Sequence, residues 1–503
     1  MKRILFLAGV VLAAAGAAHA ENPPRVTVGS KAFPESWILG EALTNLARGA
    51  GATPVEHRSN LGGTEIVYQG LRSGAIDAYP EYTGTIAEVI LKRTDRPSLD
   101  TLAAGLAPLG ILVSRPLGFN DGYGLAVTRK TATRLGLTRL SDLARHPEVR
   151  FGLTHEFLGR ADGWPGLARA YGLAPNDVRG IQHELAWDAL AKGAIDVTDV
   201  YTTDAQIAAL DLTVLEDDRA FFPRYDAVVL YRADLARRAP RVVEAWNRLS
   251  GRIDEAKMIA ANRAVALEKK PFAEAAESLL VAALGGAPAP AGSSRAAGPW
   301  AMIARRTGEH VRLVAWALLL SIVLGVPLGI LATRSRVLAK LALGAAGLVQ
   351  TVPSLALLAF LIPLVGIGTG PALIALFVYG LLPIVRNTYV GLTTLPRPLL
   401  EAAEAMGLSK RARLTKVALP LASPTILAGI QTSAVITVGT ATIAALIGAG
   451  GLGEPILSGI QLRDPGLIAQ GAVPAAVLAL LVAWAFDGLE RVLVPKGLRL
   501  PPA

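Results

Sequence analysis

Residues 73–85, SGAIDAYPEYTGT, and residues 192–204, KGAIDVTDVYTTD, are nearly the same phrase printed twice. In each, Gly-Ala-Ile-Asp opens a short apolar run, and a tyrosine, Tyr82 or Tyr201, stands five residues beyond the aspartate. The flanks repeat as well. RVTVGS reads as a strand, SWILGEALTNLARG as an amphipathic helix, TEIVYQGLRSG as another with Thr64 as its N-cap, and AIDAY as a second strand. The order returns as VRFGLTH, a helix near 164–171, HELAWDALAKG and AIDVTDVY. Strands alternating with helices imply an α/β protein with two parallel-sheet lobes. Ligands of such sheets sit beyond the carboxyl ends of strands, so facing lobes put Tyr82 and Tyr201 on opposite walls of one cleft.

This reading covers only part of the chain. With 503 residues, Gly 51, Pro 32 and 52% hydrophobic residues, the chain is too long for one domain and too apolar to be wholly soluble. Its net charge of +10 is not spread evenly: residues 300–503 carry 16 basic against 7 acidic side chains, and residues 21–299 are close to balanced. The excess therefore belongs beside apolar segments, the pattern of positive-inside loops, and argues against a nucleic-acid-binding face. MKRILFLAGVVLAAAGAAHA (1–20) reads as a secretory signal peptide, with its basic start, apolar run and Ala18-His19-Ala20 ending. The absence of cysteine excludes disulfides and a lipidated cysteine anchor.

The segments GSKAFPESWILGE, NLGGTE, YPEYTGT, GFNDGYGLAV, EFLGRADGWPGL and LEDDRAFFPRYDAVV resemble, in order, the motifs of periplasmic binding proteins of osmoprotectant ABC importers, the glycine betaine, carnitine and choline binders. The resemblance spans about 260 residues and implies a two-lobed periplasmic binding protein (type II clam) over 21–284, holding a quaternary ammonium ligand in a box of tyrosines. Matched position by position, it puts the substrate-binding box at Tyr82, Tyr123, Tyr201 and Tyr225. It assigns Lys31, Thr85 and Arg160 to the ligand's carboxylate end. Pro34 and Ser36 depart from the commoner wording of the first ligand loop, which bears on the ligand's identity within its class.

The chemistry suits such a box. A trimethylammonium group offers no N–H donor, so only diffuse negative potential at close range can hold it; aromatic faces supply this at roughly 0.5–2 kcal/mol each. Several rings together reach micromolar affinity, about −8 kcal/mol. Lys31 lies between a strand and a helix start, where its charge and backbone N–H groups favour an anion. Trp37, Tyr68, Trp164 and Trp187 stand at helical spacings and read as packing residues. No two of the six histidines have metal-ligand spacing, and no nucleophile, base and acid arrangement is present. GIGTGP and GAGGLG lie between apolar runs, and no G-x-x-x-x-G-K-[ST] occurs, so no ATP site, catalytic group, cofactor or metal is predicted.

GGAPAPAGSSRAAGP (285–299) has linker composition, and the linker is placed at 285–309. Five apolar runs follow, near 310–332, 341–363, 371–392, 421–447 and 471–489, each long enough to cross a bilayer. They predict an all-α, five-helix transmembrane domain over 310–503. With the N-terminal domain periplasmic, five crossings leave the C-terminus cytoplasmic. Arg334, Arg336, Lys340, Arg397, Lys410, Arg411, Arg413, Lys416, Arg491, Lys496 and Arg499 then all fall inside. Among the outer loops only Arg463 is basic, but Arg305, Arg306 and Arg312 flank the first crossing on the outer side, which leaves room for an extra or re-entrant segment.

EAAEAMGLSKRARLTKVALP (401–420) resembles the cytoplasmic coupling loop of ABC importer permeases in Glu401, Ala402, Ala403, Gly407, Leu419 and Pro420, with Val417 where isoleucine is usual. The surrounding apolar sequence resembles permeases of the same osmoprotectant importers. Together the two resemblances imply a fused receptor and permease subunit of the bacterial inner membrane, a homodimer through its permease domain in the lipid bilayer. Its partners are separate ABC ATPase chains and a quaternary ammonium small molecule such as glycine betaine, carnitine, choline or ergothioneine; no nucleic acid is implied. A membrane-anchored sensor would need an output domain after residue 490, and a periplasmic enzyme would need an acid and base pair in the cleft.

Overall fold

The computed structural model describes residues 23–285 and 299–494. The predicted signal peptide and much of the predicted linker lie outside them. Among the described residues ten strands form two five-stranded sheets. β1 (Val26–Gly29), β2 (Val55–Arg58), β3 (Ala78–Tyr82), β4 (Ile111–Val113) and β10 (Ala227–Arg232) form the first, in the order β2-β1-β3-β10-β4. β5 (Tyr123–Thr128), β6 (Arg150–Thr154), β7 (Asp177–Ile181), β8 (Val197–Tyr201) and β9 (Leu212–Val214) form the second, ordered β7-β6-β8-β5-β9. In each sheet the first three strands are parallel, and the fourth runs antiparallel to its neighbours. The chain crosses between lobes twice, at 114–122 and 215–226, and the crossings are tied by the Asn120–Asp226 bridge. Tyr225 N–H donates to Asn120 Oδ1 at 2.7 Å beside it.

The repeated phrase builds the same device in both lobes. Gly74 (φ +76°) and Gly193 (φ +68°) end the preceding helices in the left-handed region, where a side chain would be strained. Ile76 packs onto Gly29 of β1, and Ile195 onto Gly152 of β6; a Cβ added at either glycine would fall 2.5 or 2.6 Å from the isoleucine Cδ1. Asp77 Oδ2 accepts the N–H of Thr27, and Asp196 Oδ2 that of Arg150, each locking its strand beside the adjacent one. The tyrosines end the paired strands: β3 closes on Tyr82 and β8 on Tyr201.

Five helices of the binding domain matter here: α1 (Pro34–Gly49), α2 (Thr64–Ser73), α3 (His183–Ala191), α4 (Glu255–Ala266) and α5 (Phe272–Leu284). α4 and α5 pack on α1 and so belong with the first lobe. Trp37, Tyr68 and Trp187 are buried, and Trp164 lies 5.0 Å from Phe151, as packing residues should. One expectation fails locally. Gly63, in extended conformation, is the N-cap of α2, so Thr64 is already helical and its buried hydroxyl finds no partner.

The C-terminal region is helical: α6 (Pro299–Ala332), α7 (Arg336–Thr351), α8 (Ser354–Val365), α9 (Thr369–Thr393), α10 (Arg397–Ala405), α11 (Leu419–Thr440), α12 (Gly453–Gln461) and α13 (Pro465–Leu493). Four segments among the described residues are long and apolar enough to cross a membrane: 300–332, 369–393, 410–440 and 465–493. The second predicted run differs from a straight span. α7 and α8 meet at 98°, because Val352, held extended before Pro353, cannot continue the helix. The count is therefore four, or five if that bent pair is one span. α6 also starts at Pro299, before the predicted end of the linker at 309. Its early turns account for two of the three arginines that flank the first crossing: Arg305 and Arg306 pair with Glu309 at 3.1 and 3.0 Å, and Arg306 also pairs with Glu454.

Candidate functional site between the lobes

The strand ends and crossovers bring the four predicted tyrosines into one aromatic cluster. β5 and β8 are paired with Tyr123 opposite Tyr201, ring centroids 5.2 Å apart. Tyr225, on the second crossover, meets Tyr123 edge-on at 5.5 Å. Tyr82 comes from the other lobe, and Phe33 joins the walls, 6.3 Å from Tyr82 and stacked on Tyr201 at 5.7 Å. Phe157 and Phe222 back Tyr123 at 5.2 and 6.3 Å. Burial pushes the Tyr82, Tyr123 and Tyr201 hydroxyls well above the usual phenol range, so all three stay neutral.

Lys31, Thr85 and Arg160 lie around this cluster, but the two cations already have carboxylate partners. Lys31 Nζ is buried against Glu81 and sits 5.5 Å from the Tyr82 ring centre. Arg160 makes a two-pronged pair with Asp162, at 2.8 and 2.5 Å, and its Cζ is 5.5 Å from the Tyr123 ring centre. Thr85 Oγ1 is 3.5 Å from both terminal nitrogens of Arg160. The backbone N–H groups foreseen for an anion are used: that of Lys31 donates to Ser36 Oγ and that of Ala32 to Gly62 O.

Several residues missed in the sequence tie the lobes together. Glu35, on the first turn of α1, accepts from Tyr82 Oη at 2.6 Å through Oε1, and from Thr203 Oγ1 at 2.5 Å and Asn262 Nδ2 at 2.9 Å through Oε2. Thr203 follows β8, so this contact bridges the cleft; Tyr225 Oη donating to Asp162 Oδ2 at 2.6 Å and the Arg160–Thr85 approach bridge it elsewhere. Thr203 Oγ1 also lies 2.8 Å from Asp121 Oδ1. One hydroxyl hydrogen cannot serve two carboxylates, so one acid must carry its own proton. Burial does raise both acids, Asp121 strongly, where the neighbouring Glu35 adds repulsion. A cavity of about 20 Å³ beside Glu35, His183 and Tyr201 has room for water, not for the ligand itself.

On α3, His183 lies 4.9 Å from the Tyr201 ring and edge-on to Trp187 at 5.0 Å. Burial works against its charged form, but Asp204, whose Oδ2 is 3.2 Å from Nε2, carries it up to about 9. Glu184 is pushed up to about 7 by burial. Glu35, Asp121, Asp162 and Asp204 all stand within or beside the quoted motifs; their types alone do not distinguish them from solvated acids.

At the far end of the chain, Glu401, Ala402 and Ala403 lie on α10, and Gly407 (φ +76°) turns the chain into the next short helix. Arg413 closes the turn on Glu404 at 2.6 Å, Ala403 is buried, and Leu419-Pro420 begin α11.

A two-lobed clam with a shared aromatic cleft, followed by a bundle of apolar helices, defines the receptor and permease parts of an importer. Comparison with known proteins makes this specific. Residues 24–282 match the family described as the substrate binding domain of ABC-type glycine betaine transport systems, and residues 325–497 match the binding-protein-dependent transport system inner membrane component. The chain belongs to this ABC importer family and carries its binding and permease parts in one polypeptide. The permease part is 44% identical over 194 residues to the glycine betaine/carnitine/choline transport system permease protein of Bacillus subtilis, covering 39% of this chain and 89% of that one. It is 46% identical over 202 residues to an osmoprotectant import permease protein of Salmonella typhimurium, covering 39% and 94%. A solved structure entitled glycine betaine/carnitine/choline ABC transporter is 30% identical, with a TM-score of 0.44, and covers 51% of this chain and 97% of that one.

Proposed function

We propose that the chain imports carboxylated quaternary ammonium solutes of the glycine betaine type: the clam captures the solute outside and passes it to a pathway between two copies of the helical domain. The observation that carries this is the convergence of Tyr82, Tyr123, Tyr201 and Tyr225 from three strands and a crossover, with Phe33 between the walls. No N–H donor is needed to hold a permanent cation there, only ring faces shielded from water. Lys31 and Arg160 hold the carboxylate end with the donors left after Glu81 and Asp162 are served. The helical hairpin at 401–420 docks separate ATPase chains on the cytoplasmic side, and fusion keeps each receptor at high effective concentration beside its permease. The N-terminal domain lies outside and the C-terminus inside, as the inner loops' lysines and arginines favour.

A second reading rests on a specific feature. Because both cations are paired with buried carboxylates, a ligand without a carboxylate, such as choline, avoids competing for them. Calorimetry of the full chain in nanodiscs against glycine betaine, carnitine, choline and ergothioneine separates these readings. Binding of a betaine that is lost in Tyr82→Ala and Tyr201→Ala supports the first, and binding of choline alone the second. Binding of none, or binding indifferent to both tyrosines, overturns the ligand class.

A further inference from the structure

Arg463 is the one basic residue of the expected outer loops between crossings, and its backbone is left-handed at φ +50°, where a side chain is strained. Its guanidinium pairs with Asp188 of α3, in the second lobe. The adjoining Leu462 carbonyl accepts from Lys269 Nζ at 2.6 Å, between α4 and α5, which belong with the first lobe. The turn joining α12 to α13 thus touches both halves of the clam at once.

The two halves are held very differently. The first lobe sits on the permease through apolar surface: Leu61, Val67 and Leu71 share one buried cluster with Ile367 and Ile447. Contact is close enough that a Cβ at Gly70 would fall 2.6 Å from Ile367 Cδ1, and one at Gly448 2.4 Å from Leu61 Cδ2. Gly368 N–H donating to Ile447 O at 2.7 Å joins the two permease loops that form this seat. The second lobe's grip at this turn is the half-exposed Asp188–Arg463 pair. α3, which carries Asp188 near its middle, begins with His183 against Tyr201.

We infer that the first lobe is a fixed seat on its own permease half and that the Leu462–Arg463 turn reads closure: Asp188 reaches Arg463 when the cleft shuts. α3 then links the tyrosine box to the outer end of the last membrane helix. This rests on the transport reading above. The geometry supports it, because rotation of the second lobe about 114–122 and 215–226 moves Asp188 relative to Leu462, which stays with Lys269 and the first lobe. The buried Glu184, one turn from Asp188, also feels Arg463, whose charge opposes the effect of burial.

The chain has no cysteine, so paired cysteines report cleanly. In the full chain in nanodiscs, Asp188→Cys with Arg463→Cys is bridged by a short bis-maleimide. Ser73→Cys with Gly366→Cys, where the Cβ atoms would lie 3.6 Å apart, reports the seat by disulfide formation. Closure is weakened without reference to any ligand by Thr203→Val with Tyr225→Phe, which delete two cross-lobe hydroxyls. The expected result is a loss of at least threefold in 188–463 bridging with 73–366 unchanged. Bridging that ignores the hydroxyl variant, or a 73–366 link that fails or falls in parallel, overturns the inference. Glycine betaine should raise 188–463 bridging in the unaltered cleft; if it does not while the hydroxyl variant still responds, closure reading stands and the ligand assignment falls.

Discussion

The two copies of the Gly-Ala-Ile-Asp phrase build the same scaffold but set their tyrosines in different surroundings. In both, glycine stops a helix, isoleucine fills the space over a strand glycine, and aspartate binds the next strand's N–H. Their tyrosines then diverge. Tyr82 donates to Glu35 and so joins the hydrogen-bonded clasp that reaches across the cleft, while Tyr201 meets Phe33 of the other lobe by ring stacking alone and rests against Tyr123 and His183 of its own. The first lobe sits on the permease through apolar contact, whereas the second meets it at Arg463 through one ion pair. A duplicated scaffold can thus supply a fixed wall and a moving wall, the difference lying in what surrounds each copy.

The comparison can be broken most sharply at the rings. Tyr82→Ala and Tyr201→Ala should each weaken betaine binding at least about 30-fold, since a lost ring forfeits roughly 2 kcal/mol in a water-excluded site. The phenylalanine variants should separate the walls. Tyr82→Phe leaves Glu35 Oε1 without its donor and costs more than Tyr201→Phe; equal effects in titration would show that the two tyrosines are interchangeable.

Next come the strand glycines. Gly29→Ala and Gly152→Ala should each destabilise by about 1–3 kcal/mol, because Ile76 or Ile195 must move from a filled position. Matched losses in chemical denaturation would confirm that the two scaffolds are equivalent, and a neutral result at either would show slack there. A smaller effect depends on pH. The folded value of His183, about 9, exceeds its ordinary 6.5, so its stabilisation is complete below about 6.5 and is lost as pH rises through 9. Thermal melts between pH 7 and 10 should fall more steeply for the natural chain than for His183→Asn; parallel curves would mean that the Asp204 pairing is energetically idle. The smallest effect belongs to Arg129→Ala. Its pair with Asp211 is exposed on both sides, and no measurable change in melting is expected.

Much of this was legible before any coordinates. Alternation of strand and helix signals located both lobes, the repeated phrase marked corresponding strands, and the family resemblance pointed to four tyrosines, of which Tyr123, Tyr201 and Tyr225 touch one another and Tyr82 joins them through Phe33. The bend at Pro353 was hidden because hydropathy measures how apolar a run is and says little about its direction. Thr64 misled because a good capping residue beside a glycine can lose the cap to backbone geometry. The partners of Lys31 and Arg160 were equally out of reach: Glu81 lies fifty positions from Lys31, and Asp162, though two from Arg160, reads like any surface acid.

By itself, the sequence determined the local rules: which segments form strands or helices, which runs are apolar enough for a membrane, where glycine must turn the chain, and which aromatic residues end strands. Those follow from periodicity, backbone sterics and the length of chain needed to cross a bilayer. Only the tertiary structure decided that Glu35 joins Tyr82, Thr203 and Asn262, that the cations of the site are already paired, and that Arg463 answers Asp188. Each of those depends on residues far apart in the chain, or on burial that turns an ordinary charge into one needing a partner. Neither distance in space nor loss of water is written in the order of the residues.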